Sequence, residues 1–160
     1  MQRTDAIAKV KQSRAAWDIL LASVPDDLYE VPVRPDGSTL KSIIAHVDFY
    51  EWWTGEFFRL RTWPEIDPRL NTPDVDTRNQ ALDDINRDRP LAEVLAESPQ
   101  LHAHLVDALE SMSDDDFLNA ELLGQGTDVA WSPLAMTASS TWDHYDEHAP
   151  DIRVWLDSHS

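Results

Sequence analysis

The sequence predicts an all-α protein, a four-helix bundle. Three observations carry this. Four segments repeat apolar residues at three- and four-residue steps. Ser, Thr, Asp and Pro stand where helices begin. The connection between the second and third helices, residues 62–89, is polar, carries Pro64, Pro68 and Pro73, and is too long for a helical hairpin. Such a length suits a crossover along a bundle.

The first helix starts near Thr4 or Asp5, either of which can cap it, and runs to about Ala22 with Ile7, Val10, Arg14, Trp17 and Leu21 on one stripe. Residues 23–29 read as a stop and a short acidic turn. Pro32, Pro35 and Gly37 make residues 31–37 an extended loop. Ser38 is expected to cap the second helix, whose inward face is Leu40, Ile43, Ile44, Val47, Tyr50, Trp53 and Phe57 and which ends near Arg61. The crossover has room for a short helix over residues 75–86. Pro90 fits the first turn of the third helix, with Leu91, Val94, Leu95, Leu101, Leu105 and Leu109 as its apolar face and Pro99 as a kink or interruption. A second acidic turn, residues 113–118, and a glycine-containing loop, residues 123–126, lead to Ser132 as cap and Pro133 as first residue of a fourth helix running to about Leu156. The order helix, acidic turn, loop, Ser cap, His-bearing helix occurs twice, which would set the second and fourth helices side by side.

The chain of 160 residues fits a single helical domain, residues 1–160, with enough hydrophobic residues (42%) for a core. Its net charge of −17, from 13 basic against 30 acidic residues, excludes a grip on phosphate backbones, so no nucleic-acid partner is expected. The acidity reads as a solvated, self-repelling surface, with a cationic partner as the alternative. The N-terminal stretch lacks the apolar run of a signal peptide, and no segment reaches the roughly 18 apolar residues of a membrane span. A cytoplasmic location and no membrane partner are the expectation. Cysteine is absent, so any metal must be held by imidazole or carboxylate.

Histidine carries the functional signal. His144 and His148 are four residues apart on the fourth helix, so both rings project from one face about 6 Å apart along the axis. His46 lies on the inward face of the second helix with Ile43, Tyr50 and Trp53, and is the candidate third ligand of one divalent metal. A histidine on an apolar face can also be a core residue whose nitrogens are satisfied by neighbours, but three such rings leave several nitrogens to satisfy. Three His ligands leave a coordination position open, which suits a reactive site. Asp48, Asp143, Glu147 and Asp151 are candidate acceptors that would orient the rings, though helical spacing puts most of them toward solvent. His102 is read as a core or pocket residue, His104 and His159 as surface. There is no Gly-rich phosphate loop and no nucleophile elbow.

Residues 37–46 (GSTLKSIIAH) resemble the opening of the second helix in the DinB/YfiT-like metalloenzyme superfamily, and residues 141–153 (TWDHYDEHAPDIR) resemble its last helix. The stretch from Asn79 to Leu118 is similar to the same group of bacterial proteins. The resemblance implies an up-down-down-up bundle with a metal triad that matches His46, His144 and His148. It implies nickel or zinc as the ion, homodimers in several members, and transferases or isomerases that use a low-molecular-weight thiol such as bacillithiol or mycothiol on a small-molecule substrate. A branch resembling ClbS/DfsB resistance proteins lacks the histidines, which this chain keeps. Ser38 stands where many members carry Trp, a change that Trp52, Trp53 or Trp142 would offset at the mouth of the site. In this reading Tyr50, Trp53 and Trp142 shape the apolar part of the cofactor and substrate pocket. The alternatives are a non-catalytic protein that binds a toxic small molecule, and a metal-stabilised interaction module.

Overall fold

The computed structural model describes residues 1–119 and 132–159; the glycine-containing loop at 123–126 lies outside them. Among the described residues the helices are α1 (Arg3–Ala22), α2 (Leu40–Leu60), α3 (Val75–Asn86), α4 (Leu91–Ser111), α5 (Asp114–Leu118), α6 (Pro133–Ser140) and α7 (Trp142–Asp157). These residues form no strand, only an isolated bridge between Pro32 and Thr39.

Cross-helix contacts give the direction of each helix. Lys41 of α2 reaches the carbonyls of Arg87 and Arg89, Asp48 meets Ser98, and Glu51 meets His102, so α2 and α4 run parallel. Arg3 meets the end of α4 and Arg14 its middle, so α1 runs against them. His46 with His144 and Thr54 with Ser140 set α7 and α6 antiparallel to α2. The result is the up-down-down-up order, and the crossover 62–89 with α3 is what lets two consecutive bundle helices point the same way.

Several boundaries differ from the sequence expectation. The N-cap of α1 is Gln2, without a side-chain cap bond. Arg3 instead serves the end of α4, donating to the Leu109 and Glu110 carbonyls at 3.1 and 3.0 Å, groups that a helix C-terminus leaves unpaired. Thr39, not Ser38, caps α2: its hydroxyl accepts from Ser42 N while Ser42 Oγ accepts from Thr39 N, a reciprocal capping box. Ser38 N donates to Asp36 Oδ1 in the preceding turn, where Gly37 takes a φ of 93° that a side chain would disfavour. Pro90 is the N-cap of α4 rather than its first residue, and α4 continues through Pro99 without interruption. Leu95 is 39% exposed because the inward stripe passes through Val94, Ser98, Leu105 and Leu109. The acidic turn at 113–118 is a short helix, α5, capped by Ser113.

The expected fourth helix is two. Ser132 caps α6 with Pro133 at its first position, as the sequence indicates, but the backbone leaves the helical region at Thr141 (φ −129°, ψ −102°). The Thr137 and Thr141 hydroxyls donate to the carbonyls four residues back, Pro133 and Thr137, at 2.8 and 2.7 Å. Such back-bonding bends helices.

Two apolar clusters form the core. One joins Trp17, Ile44, Val47, Ile152 and Trp155; the other joins Val10, Phe57, Leu105, Phe117 and Trp142. Buried Arg14, Asp48, Glu51, Thr54 and Ser98 fall between them in sequence on α1, α2 and α4. None of the described helices is long and apolar enough to cross a membrane.

Candidate metal centre

The antiparallel pairing of α2 with α7 brings His46 against the two histidines that α7 projects one turn apart. His46 Nε2 lies 2.8 Å from His144 Nε2. Ring centroids are 4.8 Å apart for His46 and His144, 5.3 Å for His46 and His148, and 4.9 Å for His144 and His148. One nitrogen from each ring lies within 4.8 Å of the others, so the three can hold a metal ion.

His144 and His148 are buried and His46 is half-buried. Burial, then the neighbouring histidines and Arg34, lowers the His46 pKa from 6.5 to about 2. Burial and Arg34 lower His144 to about 4. Burial, His144 and Arg34 lower His148 to about 3. All three are neutral imidazoles at neutral pH, the form that coordinates metal.

The donor set fits a divalent ion by a second test. His144 Nδ1 and His148 Nε2 are buried and have no hydrogen-bond partner. Buried nitrogens of this kind are ordinarily paired, and an ion would satisfy the one that faces it. Arg34, from the loop before α2, donates to His148 Nδ1 at 3.0 Å and pairs with Asp151 at 2.8 Å.

The cluster adjoins a polar cleft of about 510 Å³ lined by Arg34, Ser42 and His46, by Asn79 and Asp83 of α3, and by His148. Tyr50 sets its ring edge-on to His46 and His144, at 5.0 and 5.4 Å, and its hydroxyl donates to Asn79 Oδ1 at 3.0 Å. Trp53 stands one turn further along α2, stacked on Phe49, against Trp63 and beneath Arg78. Trp142 is placed elsewhere: it is buried in the second core cluster under the Lys9 ammonium, because α6 and the start of α7 turn it toward α1.

The four candidate carboxylates also separate. Asp48 is buried but faces Ser98 and Arg14. Asp143 and Glu147 are exposed, and Asp151 reaches the histidines only through Arg34. His102, half-buried, bonds Glu51 Oε2 at 3.1 Å. His104, expected on the surface, is half-buried because Gly55 lets α2 and α4 approach; its Nε2 comes to 3.1 Å from Glu56 Oε1 without hydrogen-bond alignment. His159 is exposed and rests on Trp155.

Sequence reasoning did not single out Arg34 or Asn79, which lie on a loop and on the crossover helix, where no periodicity marks a residue as facing the site. Nor did it anticipate the partners of Arg14, although a charged residue on the apolar stripe of α1 was a visible signal.

Fold and site together define an all-α bundle with a convergent histidine cluster able to hold a metal ion. The chain belongs to the DinB superfamily, whose sequence profile matches residues 9–147. No curated protein matches. Among solved structures, a structural-genomics protein from Streptococcus pneumoniae is similar with a TM-score of 0.79 at 13% identity, over 98% of this chain and 91% of that one. An uncharacterised protein from Escherichia coli UTI89 is similar with a TM-score of 0.77 at 11% identity, over 99% of this chain and 94% of that one. At these identities the likeness speaks to the fold.

Proposed function

We propose that the chain binds one divalent ion, nickel or zinc, on His46, His144 and His148, and that it is a transferase or isomerase acting on a small electrophilic molecule with a low-molecular-weight thiol. The observation that carries this is the convergence of three neutral imidazoles from α2 and α7, two of them with an unpartnered buried nitrogen. When bound, the ion supplies a Lewis-acid charge that lowers the pKa of a thiol or water.

The chain's own residues do the rest. Three protein ligands leave a position open toward the cleft. Tyr50, held by Asn79, packs edge-on against His46 and His144 and orients that side of the cluster. Arg34 at the mouth offers a guanidinium to an anionic group on the thiol or the substrate.

Elemental analysis of the native protein beside His144→Ala tests the binding step. The expected result is close to one ion per chain in the native protein and little in the variant. Loaded protein is then assayed for thiol conjugation with a panel of electrophiles. Turnover supports the enzymatic reading. Bound metal without turnover favours a binding or resistance protein, and an ion that only raises the melting temperature favours an interaction module.

A further inference from the structure

A second cavity, of about 290 Å³, lies on the adjacent face of α2, closed by α3, α4 and the segment before α3. It shares no lining residue with the histidine cleft. Its walls are apolar and partly aromatic, with Phe49, Trp52, Leu70, Leu82, Val94 and Leu101. An apolar cavity with a few convergent polar groups is the usual form of a small-molecule site.

Asp48 also lines this cavity and is 97% buried, with 3% of its surface exposed. Its shortest polar contacts fall on one oxygen. Ser98 Oγ donates to Oδ1 at 2.7 Å, and the Arg14 guanidinium approaches the same atom at 3.6 Å while shared with Glu51 and Asp18. Among the described residues no hydrogen bond reaches Oδ2. Asp67 and Glu97 also line the cavity, each paired with an arginine, Asp67 with Arg69 at 2.6 Å and Glu97 with Arg89 at 2.5 Å. Arg89, the one basic residue of the lining, is already held by Glu97 at 2.5 Å and Asn86 at 3.0 Å.

We propose that this cavity is a ligand site separate from the histidine cluster, which takes a small primary amine with an apolar body, its ammonium on Asp48 Oδ2 and its body between Trp52 and Leu82. A carboxylate ligand would meet the Asp48 anion with no free basic group in the lining to pair it, and a neutral alcohol would give Oδ2 one hydrogen bond without offsetting its charge. Ser98 and the shared Arg14 both meet Oδ1, so the buried carboxylate gains from a cation placed on Oδ2. The chain's charge of −17 draws cations toward the cavity mouth.

The test is a titration of the full chain with 2-phenylethylamine, 2-phenylethanol and phenylacetate at about 150 mM salt, where weak surface pairing is screened. Binding is read by nuclear magnetic resonance at the Trp52 indole, at the amides of residues 82–86, and at His46 and His148. The amine is expected to shift the Trp52 and 82–86 signals saturably and to leave the histidines unmoved. The alcohol and the acid are expected to bind at least about tenfold more weakly, the worth of one charge-assisted hydrogen bond. Asp48→Asn should cost the amine a similar factor. Leu101→Trp, which fills the cavity without touching the carboxylate, should abolish binding and checks the result should Asp48→Asn fold poorly. Equal affinity for amine and alcohol, undiminished binding by folded Asp48→Asn or Leu101→Trp, shifts confined to the histidines, or no saturable shift would each overturn the proposal. The reading of the histidine centre stands or falls separately, since no variant here alters it.

Discussion

The Arg34 guanidinium donates to Nδ1 of His148 across 3.0 Å, on the far side of the imidazole from the unpartnered Nε2. Arginine has donors only, so this contact requires a lone pair on Nδ1 and places the ring's proton on Nε2. Coordination through Nε2 requires the reverse, a proton on Nδ1 and a free Nε2. The Arg34 contact and an ion on Nε2 therefore exclude each other, and Arg34 also adds positive charge beside the ion.

Arg34→Gln is thus expected to tighten metal binding, by roughly three- to tenfold, since glutamine can accept from Nδ1 as well as donate. The lost pair with exposed Asp151 contributes little to stability. Competition against a chromophoric chelator measures the effect. A variant that binds metal more weakly would show that Arg34 supports the ion instead of opposing it.

The ion-free protein should lose stability in acid through the same histidines. Their ordinary pKa of 6.5 falls to about 2, 4 and 3 for His46, His144 and His148 in the fold. Below 6.5 the unfolded chain binds more protons than the folded one, so stability is full above 6.5 and is lost as pH falls toward the folded values. Asp48 acts in the opposite sense. Its raised pKa gives a contribution that is full below 3.8 and lost as pH rises through about 7. Urea midpoints at pH 7.5 and 5.0 in an Asp48→Asn background isolate the histidines. Protonating an unfolded imidazole at pH 5.0, about 1.5 units below 6.5, is worth about 2 kcal/mol for each histidine that stays neutral in the fold, so the expected drop is roughly 2–6 kcal/mol. Adding His148→Gln should shrink the drop; an unchanged drop would mean other groups cause it.

Most of the fold was legible because helix periodicity and capping chemistry are local. The Ser132–Pro133 start follows from capping chemistry and the inward faces of His46, His144 and His148 from spacing, while the length of the crossover left room for the 75–86 helix. What escaped depends on tertiary contact. Thr141 breaks the last helix through hydroxyl bonds that any mid-helix Thr is able to make, and no spacing marks it. Trp142 neighbours the His-bearing stripe in sequence, yet the break turns it into the other core cluster. Leu95, expected on the apolar face, is exposed, while Ser98 is buried because it answers Arg14 and Asp48, partners 84 and 50 residues away. Arg34 sits on a loop, where pattern says nothing of direction.

At Gly55 α2 and α4 approach closely. A Cβ there would fall 2.8 Å from His104 Cδ2 and 3.0 Å from the Leu105 Cα. Helix propensity favours Gly→Ala by about 1 kcal/mol, but overpacking typically costs about 1–3 kcal/mol. Gly55→Ala is expected to lower the melting temperature. His104→Ala in the same chain should restore part of the loss only, since the Leu105 backbone cannot yield. A more stable Gly55→Ala would show that the two helices separate at little cost.

Glu51 is fully buried and holds the polar residues between the two apolar clusters together. It accepts from the Tyr145 hydroxyl on Oε1, and Oε2 meets Arg14 Nη1 at 3.3 Å and His102 Nδ1 at 3.1 Å. Burial and the facing Glu51 carboxylate raise the Tyr145 pKa, so its hydroxyl stays protonated and donates. Glu51→Gln removes the charge that Arg14 faces while keeping the side chain's shape. Breaking one side of a buried ion pair typically costs about 3–5 kcal/mol, because the remaining charge stays buried; Asp48 and Asp18 still face Arg14 and should hold the loss toward the lower figure. Arg14→Met alone should destabilise comparably by leaving Glu51 uncompensated. The double variant, with both charges gone, should be more stable than the sum of the two losses predicts, by roughly 1–3 kcal/mol of coupling. Chemical denaturation of the four proteins measures that coupling. Strict additivity would mean that Arg14 and Glu51 act independently, and that Tyr145 and His102 suffice to hold the carboxylate.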